Sequence, residues 1–215
     1  MKREVAGLYA VTPDLADTAG LLTGAEAALA GGARLLQYRN KSASSALRLV
    51  QARALLALCR NYRIPLIIND HLDLALAVEA AGLHLGAEDG SLAAARERLG
   101  PARILGVSCY DRLELALDAE RLGADYVAFG SFFPSSVKPG AVRASLALLR
   151  EAKRCLSVPV VAIGGITPDN APQLIAAGAD GVAVVSALFG TDDVGIAARR
   201  FSALFARREL ETPHS

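Results

Sequence analysis

Eight times along its length, this sequence passes from a short, almost unbroken apolar run into a longer segment with helical charge spacing. The runs are GLYAVT, RLLQYR, PLIIN, GLHLG, ILGVS, YVAFG, PVVAIG and GVAVVS, starting near Gly7, Arg34, Pro65, Gly82, Ile104, Tyr126, Pro159 and Gly181. Near-continuous apolar character, rather than strict alternation, is the mark of a parallel strand covered on both faces. Between the runs lie stretches such as SALRLVQARALLALCRNY from Ser45 and RLELALDAERLG from Arg112. In the second, Leu113 and Leu117 stand one helical turn apart and the polar pair Glu120 and Arg121 follows. Gly100, Gly123 and Gly178 close helices where a left-handed residue is favoured. Repeated β-then-α order predicts a parallel sheet with right-handed crossovers. Eight units in 215 residues favour a closed (β/α)8 TIM barrel over an open doubly wound sheet.

The length also fits one domain spanning residues 1–215, with the polar ELETPHS tail, residues 209–215, expected to fray. The phrases around Ala80–Gly82, Leu122–Asp125 and Ala176–Asp180 punctuate helix-to-strand junctions and point to repetition of the unit. The 23 basic and 22 acidic side chains leave a net charge of +1, which gives no broad electrostatic basis for binding nucleic acid or an anionic membrane. Any anion site has to be local. Cys59, Cys109 and Cys155 have neither CxxC nor Cys/His spacing, so they read as packing residues of a chain in a reducing, cytoplasmic setting. No signal-peptide pattern opens the sequence, and no run approaches ~18 apolar residues, so no membrane span is expected.

Barrels of this type carry their chemistry at the C-terminal ends of the strands. Polar residues gather there. Gln37-Tyr38-Arg39-Asn40-Lys41 follows the second strand, Asn69-Asp70 the third, and Glu88-Asp89 the fourth; Ser108 ends the fifth. The sixth leads into SFFPSSVKPG, the seventh into Gly164-Gly165, and the eighth into Ser186. A spacing of two puts Gln37, Arg39 and Lys41 on one face of an extended chain. An amide with two cations suits a pyrophosphate attached to a hydrogen-bonding heterocycle, with Arg as a planar fork and Lys as a point charge. A solvated loop is the alternative. Asp70 and Asp89, at neighbouring strand ends, suit Mg2+ bridged to phosphate oxygens, and equally suit helix N-caps. Asp73 and Glu88 read as a helix-face residue and a loop carboxylate. The IGG turn at Ile163–Gly165, followed by TPDN, resembles a phosphate-gripping turn with a helix start behind it, and Val184–Ser186 contributes from the eighth strand. His84, inside GLHLG, reads as a hydrogen-bonded interior residue, and His71 and His214 carry no signal. No Ser/His/Asp or Cys/His arrangement supports nucleophilic hydrolysis.

Taken together, QYRNK, LIINDHLDLALAVEAAGLHLGAED, GVSCYDRLELALDAERLGADYVAFGSFFPSSVKPGA and PVVAIGGITPDN resemble the thiamine phosphate synthase family, from GLYAVTPD to VVSALF. That resemblance implies a transferase of thiamine biosynthesis. It joins 4-amino-5-hydroxymethyl-2-methylpyrimidine pyrophosphate to a (carboxy)thiazole ethyl phosphate through Mg2+-assisted, dissociative loss of pyrophosphate. It implies a substrate-binding set of Gln37, Tyr38, Arg39, Asn40, Lys41, Asn69, Ser108 and Lys138 for the pyrimidine pyrophosphate. Ser135, Ser136, Val137, Gly165, Val185 and Ser186 fall to the thiazole phosphate. Arg39, Lys41, Ser108 and Lys138 form the catalytic group, and Asp70 and Asp89 ligate Mg2+. The two rival readings are a thiazole tautomerase-type isomerase on the same barrel and a non-catalytic barrel that binds phosphorylated metabolites. The implied partners are these small molecules, with neither nucleic acid nor membrane, and homo-oligomerisation is left open.

One departure stands out. The family often reads PTxTK after the sixth strand, whereas this chain has Pro134-Ser135-Ser136-Val137-Lys138. Val137 lacks the second hydroxyl, and a lost hydrogen bond to a charged group costs roughly 1.5–3 kcal/mol. Ser136 or backbone N–H groups are expected to re-route the contact. Val137→Thr is therefore expected to tighten apparent affinity for the thiazole phosphate; an unchanged KM for that substrate would count against a weakened contact here.

Overall fold

A computed structural model describes residues 5–86, 90–134 and 143–211, with side chains described to residue 206. Its order is β1 (Gly7–Val11), α1 (Thr18–Ala30), β2 (Leu35–Tyr38), α2 (Ser45–Tyr62), β3 (Leu66–Asn69), α3 (Leu72–Ala77), β4 (Gly82–Gly86) and α4 (Leu92–Leu99). It continues with β5 (Ile104–Ser108), α5 (Leu113–Arg121), β6 (Tyr126–Phe129), α6 (Leu146–Cys155), β7 (Val160–Ile163), α7 (Ala171–Ala176), β8 (Gly181–Val184), α8 (Ser186–Phe189) and α9 (Val194–Glu211). Every strand pairs in parallel with its sequence neighbour, and β1 pairs with β8 through Leu8–Val182 and Tyr9–Ala183, closing the barrel. Each of the eight apolar runs is a strand, as the sequence leads one to expect.

Two apolar layers explain why those runs are unbroken. One face of each strand packs under the helices, as with Leu8, Leu36, Ile68, Leu83, Leu105, Val127, Val160 and Val182. The other face fills the barrel interior with Val5, Tyr9, Val11, Leu35, Ile67, Ile104, Tyr126, Ala128, Val161 and Ala183. The interior is a packed core rather than a pore. At Gly106 the fit requires the absence of a side chain, because an added Cβ would lie 2.0 Å from Cζ of Tyr126.

The helix ends follow local chemistry. Asp17 accepts from the N–H groups of Ala19 and Gly20, and Ser44, Ser91 and Ser145 cap α2, α4 and α6 in the same manner. Gly100, Gly123 and Gly178 all take positive φ. The repeated Asp of the junction phrases has a defined task. Asp125 accepts the backbone N–H of Leu105, and Asp180 that of Val160, both at 2.8 Å, so each ties a strand to the one before it. Arg96 and Lys153 pair with these same carboxylates at 2.6 Å.

Two expectations change. The tail expected to fray from Glu209 is helical through Glu211, because Arg-Arg-Glu-Leu-Glu favours helix up to the Thr-Pro step that follows. Cys155 is exposed at the end of α6, whereas Cys59 and Cys109 are buried. Burial holds the Cys59 and Cys109 thiols up to about 12, with Arg112 opposing the shift at Cys109. The thiolate is the reactive form, so these two stay protonated well above neutral pH. A thiol reagent at pH 8 should therefore titrate one of the three cysteines in the native protein and all three in denaturant. Rapid native labelling of Cys59 or Cys109 would contradict the burial.

Candidate active site

A cavity of about 800 Å³ opens at the C-terminal ends of the strands. It is lined from every strand, including Gln37, Arg39 and Lys41 after β2, Asn69 and Asp70 after β3, Ser108 at the end of β5, and Gly164, Gly165, Val185 and Ser186 after β7 and β8. Asp89, Ser135, Ser136, Val137 and Lys138 lie outside the described residues, so of the two expected Mg2+ ligands only Asp70 is described, and the loop after β6 contributes Gly130, Ser131 and Pro134 to the lining.

The β2 end is built by its neighbours. Thr12, the first residue past β1, accepts from Arg39 N and donates to Arg39 O, both at 2.9 Å, which prolongs the β1–β2 ladder beyond the last strand residue. Asp14 then accepts from Lys41 N at 2.8 Å and from the Arg39 guanidinium at 3.2 Å. Arg48 of α2 holds the carbonyls of Asn40 and Lys41 from behind. The ordered segment thus runs past β2 to a bend at Lys41, and Gln37, Arg39 and Lys41 all line the cavity.

Alternation along this segment turns the side chains of Tyr38 and Asn40, which the resemblance places in the substrate-binding set, to the opposite face. Both point away from the cavity, into the layer beneath α2. Tyr38 donates to Oε1 of Gln51 at 2.8 Å, and Asn40 donates to Oε1 of Gln51 and to the Leu15 carbonyl. Gln51, fully buried on α2, also donates to Leu15 O. Burial pushes the Tyr38 phenol up to about 12, against the opposing field of Arg48 and the hydrogen bond of Asn40. These residues fasten the loop.

Asp70 has φ +61°, a left-handed conformation that Asp tolerates better than most residues. Its N–H donates to the His84 carbonyl at 2.9 Å. The α3 N-cap is His71, without a side-chain cap bond, so Asp70 does not serve as the helix cap that its position also allowed. Its carboxylate instead faces Lys41 Nζ at 3.4 Å. Burial, reinforced by Arg48 and Lys41 and opposed by Asp70, lowers the pKa of adjacent His71. Asp73 pairs with Arg98 on the exposed helix face.

Across the cavity, Gly164 and Gly165 have φ +99° and +65°, and a Cβ on Gly165 would sit 2.4 Å from the Pro134 carbonyl. The backbone after β6 can pack this close only because no side chain is there. The helix expected directly behind this turn begins later, at Ala171, because Thr167–Asn170 form a turn of their own in which Asn170 accepts from Thr167 N and donates to Gly165 O. Ser186 opens the short α8.

The floor holds residues that the sequence did not single out. Tyr9 and Tyr126 meet through their hydroxyls, Gln37 donates to Tyr9, and His84 bridges Tyr126 and Ser108. His84 is the hydrogen-bonded interior residue expected, and it also lines the cavity. Tyr110, Asp111 and Arg112 line the rim after β5. Two-residue spacing from Val11 places Tyr9 on the interior face; its apolar run concealed it.

Known proteins agree with this geometry. The family model for thiamine monophosphate synthase matches residues 8–188. The chain belongs to the thiamine monophosphate synthase family. It is 54% identical over 209 residues to the thiamine-phosphate synthase of Nitrosospira multiformis, covering 97% of this chain and 89% of that one. The identity is 57% over 201 residues to the enzyme of that name from Methylobacillus flagellatus, with 94% and 96% covered. The thiamine phosphate pyrophosphorylase structure from Pyrococcus furiosus superposes with a TM-score of 0.86 at 36% identity, covering 95% of this chain and 98% of that one. For this family member, the Gln51 anchor gives a direct test. Gln51→Leu leaves the Tyr38 hydroxyl and the Asn40 amide without their shared acceptor, so urea unfolding should show a loss of about 1–3 kcal/mol. A loss below about 0.5 kcal/mol, the size of an ordinary surface substitution, would mean that the network does not hold the loop.

Proposed function

We propose that this chain condenses 4-amino-5-hydroxymethyl-2-methylpyrimidine pyrophosphate with a (carboxy)thiazole ethyl phosphate, giving thiamine phosphate and pyrophosphate. One observation carries the reading. Arg39, Lys41 and Asp70 meet at one rim of the same cavity whose opposite rim is the Gly164-Gly165 turn and Ser186. Two anionic groups can thus be held at opposite sides of a pocket with an apolar, hydrogen-bonding floor. Neither an isomerase acting on the thiazole alone nor a non-catalytic carrier needs both rims with a carboxylate beside the cations.

In this assignment Gln37 meets the pyrimidine, while Arg39 and Lys41 bind the pyrophosphate as fork and point charge. Asn69, Ser108 and Lys138 complete that end. Ser135, Ser136 and Val137, with Gly165, Val185 and Ser186, receive the thiazole phosphate. The donor set at Asp70 fits Mg2+: a hard carboxylate oxygen at the cationic rim, with Asp89 as the second ligand, and most positions left to water and substrate oxygens. When bound, Mg2+ would neutralise charge on the pyrophosphate oxygens.

The chain's own residues do the rest. The pyrimidine C–O bond to pyrophosphate breaks with positive charge building on the electron-rich ring, and Arg39, Lys41 and Lys138 stabilise the departing anion. The thiazole nitrogen supplies the electron pair for the new C–N bond, so no protein nucleophile is required. Holding both partners in line converts a bimolecular encounter into an intramolecular one.

Incubation with both substrates should release pyrophosphate, and EDTA should suppress the release. Asp70→Asn keeps a residue that tolerates positive φ, so the barrel should stay folded while kcat falls on the order of a hundredfold. Wild-type turnover in that variant at limiting Mg2+ would remove Asp70 from the metal site.

A further inference from the structure

Five polar side chains from five strands form one unbroken hydrogen-bonded chain under the cavity. Gln37 Nε2 donates to Tyr9 Oη at 2.9 Å, and Tyr9 Oη meets Tyr126 Oη at 2.8 Å. Tyr126 Oη meets His84 Nδ1 at 2.8 Å, and His84 Nε2 meets Ser108 Oγ at 2.8 Å. Gln37, Tyr9, Tyr126 and His84 are all buried. Packing fixes the chain as firmly as the bonds do. Tyr9 meets Tyr126 edge-on, His84 stacks on Tyr126, and Gly106 leaves room for the Tyr126 ring.

Each phenol has one proton, which removes all freedom but one. If Gln37 donates to Tyr9, the Tyr9 proton goes to Tyr126 and the Tyr126 proton goes to His84 Nδ1. The neutral imidazole then carries its hydrogen on Nε2 and donates it to Ser108. Gln37 is left with its carbonyl oxygen and its second amide hydrogen, and Ser108 with its own O–H. Turning the Gln37 amide over reverses every bond and exchanges acceptor for donor at both ends. A lone Gln flips readily; this one can flip only if four other groups turn with it.

We propose that the chain is a polarity lock, which holds Gln37 Oε1 as an acceptor and Ser108 O–H as a donor and so selects a pyrimidine bearing an exocyclic amine over its oxo counterpart. The proposal rests on the assignment of a pyrimidine pyrophosphate to this cavity. An amine donates to Gln37 Oε1, whereas an oxo group would set two acceptors face to face. At the other end, an anionic phosphate oxygen accepts from Ser108. Tyr126, which is not part of the cavity lining, is a positioning residue: it acts on the ligand only through Tyr9 and His84.

Two measurements test the lock. In the protein without substrate, 15N shifts of the His84 ring, assigned by their loss in His84→Gln, should show hydrogen on Nε2. Hydrogen on Nδ1 would overturn the polarity. Calorimetry should then compare the 4-amino and 4-oxo pyrimidine diphosphates. Wild type should prefer the amine by on the order of tenfold to a hundredfold, the span of one misdirected buried hydrogen bond. Tyr126→Phe cuts the chain and frees the amide, so the preference should collapse to a fewfold while thermal unfolding confirms a folded barrel. Tyr9→Phe, a second cut, should do the same. An undiminished preference in both folded variants would overturn the lock. If pyrophosphate release fails with the two thiamine precursors while the ring tautomer and the amine preference hold, the reaction assignment fails and the lock stands.

Discussion

Closure of the sheet between β1 and β8 is the constraint on which the rest depends. A closed parallel barrel has no edge, so each interior side chain must find its partners among the other interior side chains. In the lower layer that requirement is met by Val5, Leu35, Ile67 and Ile104. Higher up, where Tyr9, Gln37, His84, Tyr126 and Ser108 converge, polar atoms must satisfy one another or face the cavity. They do so in a single chain, and no buried side-chain polar atom is left without a partner among the described residues. The site and the core are therefore one construction, with the apolar fill grading into the binding floor over a few ångströms.

The charged rim is built on the same logic, carried one step beyond the strands. Thr12 and Asp14 extend the hydrogen-bond pattern of β1 past its last residue, and this fixes the Arg39–Lys41 segment against the end of β1. Asp14 also gives the Arg39 guanidinium a partner. Lys41 is held similarly by Asp70. The cations are thus set in place ahead of ligand binding, which reduces the side-chain entropy lost on binding.

Much of this was legible in the sequence because it obeys local periods. Eight apolar runs give eight strands, and spacing of two correctly puts Gln37, Arg39 and Lys41 on one face. That rule also turns the side chains of Tyr38 and Asn40, which the family resemblance draws into the substrate set, toward Gln51 on the other face. What could not be read depends on partners distant in sequence. Tyr9 looks like any aromatic residue in a buried strand until Tyr126, 117 residues away, supplies its hydroxyl. Asp14 looks like a turn residue until Arg39 and Lys41 come beside it. Gln51 looks like a polar position on a helix and is fully buried.

The aspartates that end the helix-to-strand phrases have a consequence for how the ring is assembled. Asp125 and Asp180 each bond back to the preceding strand, 20 residues away, so the β5–β6 and β7–β8 units are each tied locally. Among the strand pairings of the described residues, the β1–β8 seam joins the parts of the chain farthest apart, across a separation nearly sevenfold that of the Tyr9–Leu35 step between β1 and β2. Loop-closure entropy rises only with the logarithm of length, so that seam carries an extra cost of about 2 kcal/mol. A ring made of nearby ties and one modest long-range closure is kinetically accessible despite its all-parallel topology.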